Sequence, residues 1–174
     1  MIDRNALTSL IEKEDGINWW KPELFTKNVL PIFPKELEIV KFPPREKDNY
    51  NCFVFALGLE NDPDFLGGNN PVQKEFIRHL ISERILTETS NELFTGSLVF
   101  YENEEGVITH GGILEEGGVI LSKWMWGPTI RHQLWDVPSS FGNKIFYTNK
   151  PDSAVVKEKY KSYRDSGVKI RPIS

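Results

Sequence analysis

The apolar positions follow a helical period in the first half of the chain and a strand period in the second half. A short helix is predicted over residues 1–14, a nearly all-apolar and therefore buried helix over residues 51–60, and an amphipathic helix over residues 71–87. Asn70 is placed to cap the third helix, and Pro71 suits its first turn. These three segments form most of the predicted helical part of the fold.

Residues 15–47, between the first two helices, have no regular apolar period. Proline at high density breaks regular structure. The segment contains five prolines: Pro22, Pro31, Pro34, Pro43 and Pro44. It also contains Trp19 and Trp20, which we expect to pack on the core. The pattern therefore predicts an irregular N-terminal wrap rather than a second domain.

Four strands are predicted, over residues 97–102, 107–114, 119–124 and 143–149, and a closing helix is predicted over residues 152–163. Short polar turns join the first three strands, which is typical of an antiparallel meander. The predicted fold class is α+β, with N-terminal helices packed on a central antiparallel β-sheet.

The length of 174 residues is enough for one domain with a sizeable core. We therefore predict a single domain over residues 1–174. It consists of an N-terminal wrap (1–47), a core (48–149), and a C-terminal helix and polar tail (150–174).

Composition narrows the function classes. The net charge of −4 disfavours nucleic acid and anionic membranes as partners. The N-terminal residues lack the basic region and apolar stretch of a signal peptide, and the single cysteine cannot form an internal disulfide, so we expect a cytoplasmic protein. No phosphate loop, zinc pattern or paired-carboxylate motif occurs, so neither a metal nor another cofactor is expected.

The candidate chemistry centres on the single cysteine, Cys52, in the first turn of the predicted helix 51–60. Partial positive charge and free backbone N–H groups at a helix N-terminus favour the thiolate, which is the reactive form of cysteine. Cys52 is therefore a candidate nucleophile, although a lone cysteine in an apolar run can equally be a small buried hydrophobe.

A cysteine nucleophile needs a base, and His110 is the best-placed of three histidines. It lies in a predicted strand and is followed by Gly111, which leaves room for a substrate backbone. His79 lies within the amphipathic helix, and His132 lies in an irregular segment rich in tryptophan. A structural role for His110 remains an alternative.

The chain resembles the NlpC-type cysteine peptidases of the papain-like superfamily. The matching stretches are Asn51–Gly58, then Gly96–Tyr101, then His110–Leu114, and the resemblance covers residues 48–149. It also resembles uncharacterised bacterial proteins that share the stretch at residues 122–124 and a second stretch before the fourth strand. The resemblance implies a papain-like fold and a peptide or another amide-containing substrate, attacked through a thioester.

The resemblance also implies residue roles. Cys52 would be the nucleophile and His110 the base, and the backbone N–H of Cys52, with Tyr50 or Asn51, would form the oxyanion site. Analogy of spacing indicates Ser122 as the third catalytic member.

The third member is left open by the strand register. If Leu114 pairs with Val119, His110 lies opposite Lys123, whereas a slip of one residue would restore Ser122. The family usually places His, Asn or Gln at this position.

Four residues are candidates for lining the cleft: Gly111, Lys123, Trp124 and Trp126. The tryptophans, together with Trp135, could bind a glycan or peptide, or could instead plug the sheet and anchor residues 125–142.

Three functions fit these observations. The first is a cysteine hydrolase that cleaves a peptide or isopeptide bond. The second is a catalytically silent papain-like module that binds a peptide, a glycan fragment or a protein. The third is a deamidating or transamidating effector. The enzymes require the Cys52 sulfur to face a ring nitrogen of His110 in an open cleft.

Overall fold

A computed structural model describes residues 1–89 and 94–166. The helices are α1 (Arg4–Glu12), α2 (Ile17–Trp20), α3 (Pro22–Leu24), α4 (Cys52–Ala56), α5 (Lys74–Ser82) and α6 (Ser153–Asp165). The strands are β1 (Glu38–Lys41), β2 (Leu98–Glu102), β3 (Ile108–Leu114), β4 (Ile120–Lys123), β5 (Thr129–His132) and β6 (Lys144–Thr148). The predicted polar tail lies outside the described residues from residue 167 onward.

The strands form one six-stranded antiparallel sheet in the order β1-β5-β4-β3-β2-β6. The protein therefore has an α+β fold. The predicted antiparallel meander is confirmed as β2, β3 and β4, and the fourth predicted strand is β6, which pairs with β2.

Two strands are missing from the sequence prediction. β1 lies in the segment predicted to be irregular, and β5 lies between the third and fourth predicted strands. Each has four residues, and the two pair with each other across a long stretch of chain, a contact that local periodicity does not encode. Glu38 lies opposite Arg131 in the β1–β5 pair, and the two side chains form a salt bridge of 2.7 Å.

The predicted helices around the cysteine are shorter in the structure. α4 begins at Cys52, as predicted, because Asn51 caps it by accepting a hydrogen bond from the Val54 N–H at 3.0 Å. The chain leaves this helix through Gly58, which has a φ of 72°. α5 begins at Lys74. The prediction that Asn70 caps this helix is therefore wrong.

The sheet separates two hydrophobic clusters, which we call the α4 face and the N-terminal face. The α4 face contains α4, α5 and α6 side chains together with Leu98 and Phe100 of β2. The N-terminal face contains the side chains of the first helices together with Val99 and Tyr101 of the same strand. Because successive residues of a strand point to opposite sides, neighbouring residues in the central strands belong to different clusters.

Candidate functional site

Cys52 is buried on the α4 face, with 5% of its surface exposed. Burial raises the pKa of its thiol to about 12. The backbone N–H groups of Gly111, Cys52 and Phe53 act to lower that pKa, as does the charge of Lys123, but burial outweighs them. At neutral pH the sulfur is therefore a thiol, not the nucleophilic thiolate.

His110 lies on the N-terminal face, on the other side of the sheet from Cys52. Its ring stacks on Phe141 with centroids 4.0 Å apart and lies 5.5 Å from the ring of Tyr101. The next residue, Gly111, points toward α4, since a Cβ added to it would lie 3.5 Å from the Cβ of Ala56. The structure therefore does not bring Cys52 and His110 together, because their pairing would require the strand to be rotated by one residue.

The imidazole of His110 has an unusual environment for a polar group. It is fully buried, and neither ring nitrogen has a hydrogen-bond partner among the described residues. Burial, with the nearby His132, holds its pKa well below the usual value of 6.5. His110 is thus a neutral aromatic member of the core.

Ser122 also lies on the N-terminal face, where it orients His132 instead of His110. His132 donates from Nδ1 to the Gln133 carbonyl at 2.7 Å, so its Nε2 accepts from the Ser122 hydroxyl at 2.8 Å. The indole of Trp124 donates to the same hydroxyl oxygen at 3.1 Å. This chain is enclosed within the core, and burial lowers the pKa of His132 to about 4. Ser122 is therefore part of a structural hydrogen-bond chain.

Lys123 is the β4 residue that accompanies Cys52 on the α4 face. It is 1% exposed, its ammonium donates to the Gly127 carbonyl, and its Nζ lies 4.7 Å from the ring centroid of Tyr50. Burial lowers its pKa to about 7, whereas the Cys52 charge acts to raise it. Of the two residues that the sequence left open, the strand thus presents Lys123 to the cysteine.

The two predicted oxyanion residues are engaged elsewhere. Asn51 uses its oxygen to cap α4 and its amide to donate to the Val72 carbonyl at 2.8 Å. Tyr50 is buried beneath the Lys123 ammonium. Burial raises the pKa of Tyr50, as does the charge of Glu60. Neither side chain is available to a substrate oxygen in this arrangement.

The candidate cleft residues differ in their exposure and in whether they line a cavity. Trp124 is fully buried and stacks on Trp19 with ring centroids 6.1 Å apart, so it plugs the sheet. Gly111 and Lys123 are also buried. Trp135 is 40% exposed and packs against Arg4, away from the cysteine. Trp126 is half-buried and is the member of this set that lines a surface cavity.

The main concave surface beside Trp126 is a groove that we call the Trp groove. It consists of two adjoining cavities of about 400 and 260 Å³, and both are lined by Trp20 and Trp126. The larger cavity is also lined by Ile11, Glu12, Asp15, Gly16, Trp19 and Met125. The smaller cavity is also lined by Glu46, Asn49, Gly67 and Gly68.

The position of Trp126 is fixed by the turn that precedes β5. The Asn49 amide donates to the Trp126 carbonyl, and the Trp19 indole donates to the Trp124 carbonyl, each at 2.8 Å. Gly127 packs so closely against Trp19 that a Cβ would overlap the indole. The sequence prediction missed Trp20 as a partner of Trp126 because the two lie far apart in the chain; the adjacent pair of tryptophans in the wrap was its one signal.

Neither a metal site nor a membrane span is found in the described residues. Within residues 1–89 and 94–166, no three His, Cys, Asp or Glu side chains are grouped so as to hold a metal ion. No helix in the same ranges is long and apolar enough to cross a membrane.

Comparison with known proteins identifies a family. Residues 41–149 match the family described as Domain of unknown function (DUF7689), and the chain therefore belongs to that family. No curated protein matches the chain, and no solved structure matches it. The matched segment includes Cys52, Lys123 and Trp126, whereas Trp20 precedes it.

Proposed function

We propose that this member of the DUF7689 family is a catalytically silent papain-like module that binds a peptide through the Trp groove. The observation that carries the proposal is the separation of Cys52 from His110 by the sheet. The order of a cysteine-bearing helix followed by an antiparallel meander supports the papain-like assignment.

The environment of Cys52 supports the silent form of the module. Nucleophilic catalysis needs a thiolate and a base that shares a cleft with it. Cys52 is buried with a raised pKa of about 12, and the ring of His110 is enclosed between Phe141 and Tyr101 on the far side of the sheet. With 5% of its surface exposed, Cys52 offers a substrate carbonyl little access to its sulfur.

The shape and chemistry of the Trp groove support a peptide ligand. Binding sites usually combine apolar and aromatic walls with a few polar groups, in cavities of roughly 300–1,000 Å³. The groove is lined by three tryptophans, two of which line both cavities, and Ile11 and Met125 provide apolar wall that suits a peptide side chain. Asn49 and three carboxylates supply polar groups.

Selection from a displayed peptide library tests this proposal. We expect the wild-type protein to enrich a set of peptides and Trp126→Ala to lose them. Trp135→Ala is the matched control, because Trp135 is an exposed tryptophan outside the groove. Equal enrichment by wild type and Trp126→Ala would contradict the proposal, as would retention of chito-oligosaccharides with no peptide enrichment.

A second candidate is the amide hydrolase that the resemblance implies, in a form that uses Lys123 in place of His110. The observation that favours it is the buried Lys123 amine on the same face of the sheet as Cys52, since burial lowers the pKa of that amine to about 7. An unprotonated amine can accept a thiol proton. Alkylation by iodoacetamide distinguishes the two, because the hydrolase requires a reactive Cys52 that Lys123→Met silences.

A further inference from the structure

We infer that the Trp groove recognises a basic side chain, lysine or arginine, of its peptide. The inference rests on the proposed function and names the chemical class that the groove selects. Its basis is that the groove combines indole walls with carboxylates as its charged lining groups.

The aromatic walls suit a cation. Trp20 and Trp126 each line both cavities, so a side chain that enters the groove meets two indoles. Indole is the best aromatic partner for an ammonium or guanidinium group. The protein already uses one of these rings in this way, since the Lys21 ammonium lies 5.9 Å from the centroid of Trp20.

The charged side chains that line the groove are all carboxylates. Glu12 and Asp15 line the larger cavity, and Glu46 lines the smaller cavity. All three are exposed, and none of them forms a salt bridge within residues 1–89 and 94–166. Among the described residues that line the two cavities, none is a lysine or an arginine. The groove is therefore complementary to a positive charge and repels an anionic ligand.

Two residues that line the larger cavity have an uncommon backbone conformation. Of the four non-glycine residues with positive φ in the described ranges, Asp15 and Met125 line this cavity, each with a φ of 56°. Such conformations persist where the surrounding structure enforces them, and they concentrate at ligand sites. The backbone at Asp15 and Met125 is thereby held in one arrangement.

Calorimetric titration with short alanine peptides tests the inference. The peptides carry lysine, norleucine or glutamate at their centre, so the first two differ mainly in charge. We expect the lysine peptide to bind about tenfold more tightly than the norleucine peptide, and the glutamate peptide to bind more weakly than either.

The variants assign that preference to the groove. Asp15→Asn combined with Glu46→Gln should weaken the preference for lysine over norleucine, and asparagine tolerates the positive φ at this position. Glu116→Gln is the control, an exposed carboxylate at a hairpin tip outside the groove. Trp126→Ala should abolish binding of both peptides.

The outcomes separate the inference from the proposed function. Equal binding of the lysine and norleucine peptides would overturn the inference and leave the peptide module standing. A lysine preference that is undiminished in the Asp15→Asn, Glu46→Gln protein would also overturn it. Failure of wild type to bind any of the peptides would overturn the inference, and failure to enrich any library peptide would overturn the proposed function as well.

Discussion

Both faces of the sheet bury polar side chains, but the partners of these side chains differ between the faces. On the α4 face, Cys52 and Lys123 are a thiol and an amine that burial drives toward their neutral forms. On the N-terminal face, His110 and Ser122 belong to an enclosed core, and the Ser122 hydroxyl is hydrogen-bonded to His132. Residues that are adjacent in sequence thus have different roles, because successive side chains of a strand point to opposite faces of the sheet. A motif alone does not establish a catalytic pair; the face of the strand decides it.

The largest expected contrast between the faces comes from a pair of neighbouring substitutions. Ser122→Val should lower the free energy of unfolding by about 3 kcal/mol, because it leaves Trp124 Nε1 and His132 Nε2 without partners in the core. Lys123→Met should change it by less than about 1 kcal/mol, because a buried amine is replaced by an apolar chain of similar length. Urea denaturation measures both. A larger loss in Lys123→Met would mean that the two faces have been assigned the wrong roles.

Acid should weaken the N-terminal face. His132 has a folded-state pKa lowered to about 4, and that of His110 is lowered well below 6.5, so both histidines bind protons more readily in the unfolded state. Their contribution to stability is complete above pH 6.5 and is lost as the pH falls below that value. The loss for His132 alone is about 3 kcal/mol by pH 4. Thermal melts between pH 7 and 4 check this, and a melting temperature independent of pH in that window would contradict it.

On the α4 face, the stability should depend on pH in the alkaline range. The folded-state pKa of Lys123 is about 7, below its usual 10.5, so the unfolded state binds the extra proton between these values. Stability from this group is therefore gained as the pH rises through that window. Lys123→Met should remove the gain, while Arg78→Met, which changes an exposed cation, should retain it. Identical alkaline profiles for wild type and Lys123→Met would argue against a buried amine.

A small effect of the opposite sign is expected at His110 itself. His110→Phe removes two ring nitrogens that lack partners and keeps an aromatic ring against Phe141 and Tyr101. We expect a gain of about 1 kcal/mol in the free energy of unfolding, because an unsatisfied buried polar group is costly. Chemical denaturation measures the change. Marked destabilisation would indicate that the imidazole has a polar partner after all.

Much of the fold could be predicted from sequence, and the exceptions have physical causes. Strand-type apolar runs bounded by polar turns predicted β2, β3, β4 and β6, and the start of α4 followed from the change to a nearly all-apolar run at residue 51. β1 and β5 were missed because each is short and is specified by its partner strand. Such pairing is a tertiary property that local periodicity does not encode.

The candidate site was harder to predict. Cys52 was placed correctly at the beginning of its helix, but the facing of His110 could not be read from its surroundings. Gly111 and Gly112 carry no side chains, so the alternation that would reveal the facing of the strand is silent at that point. The Trp groove was missed because its walls come from the N-terminal wrap and from the turn before β5, which meet only in the folded chain.

The pH dependence of Cys52 alkylation by iodoacetamide tests whether the sheet keeps the thiol apart from His110. The separation of the thiol from His110 predicts slow alkylation of the native protein below pH 9, far from the behaviour of an exposed thiol with a pKa of about 8.5. It also predicts the same pH profile in His110→Phe, and rapid alkylation once the protein is unfolded. Fast alkylation at neutral pH that is lost in His110→Phe would contradict the account, because it would establish the thiolate–imidazole pair that the two faces of the sheet keep apart.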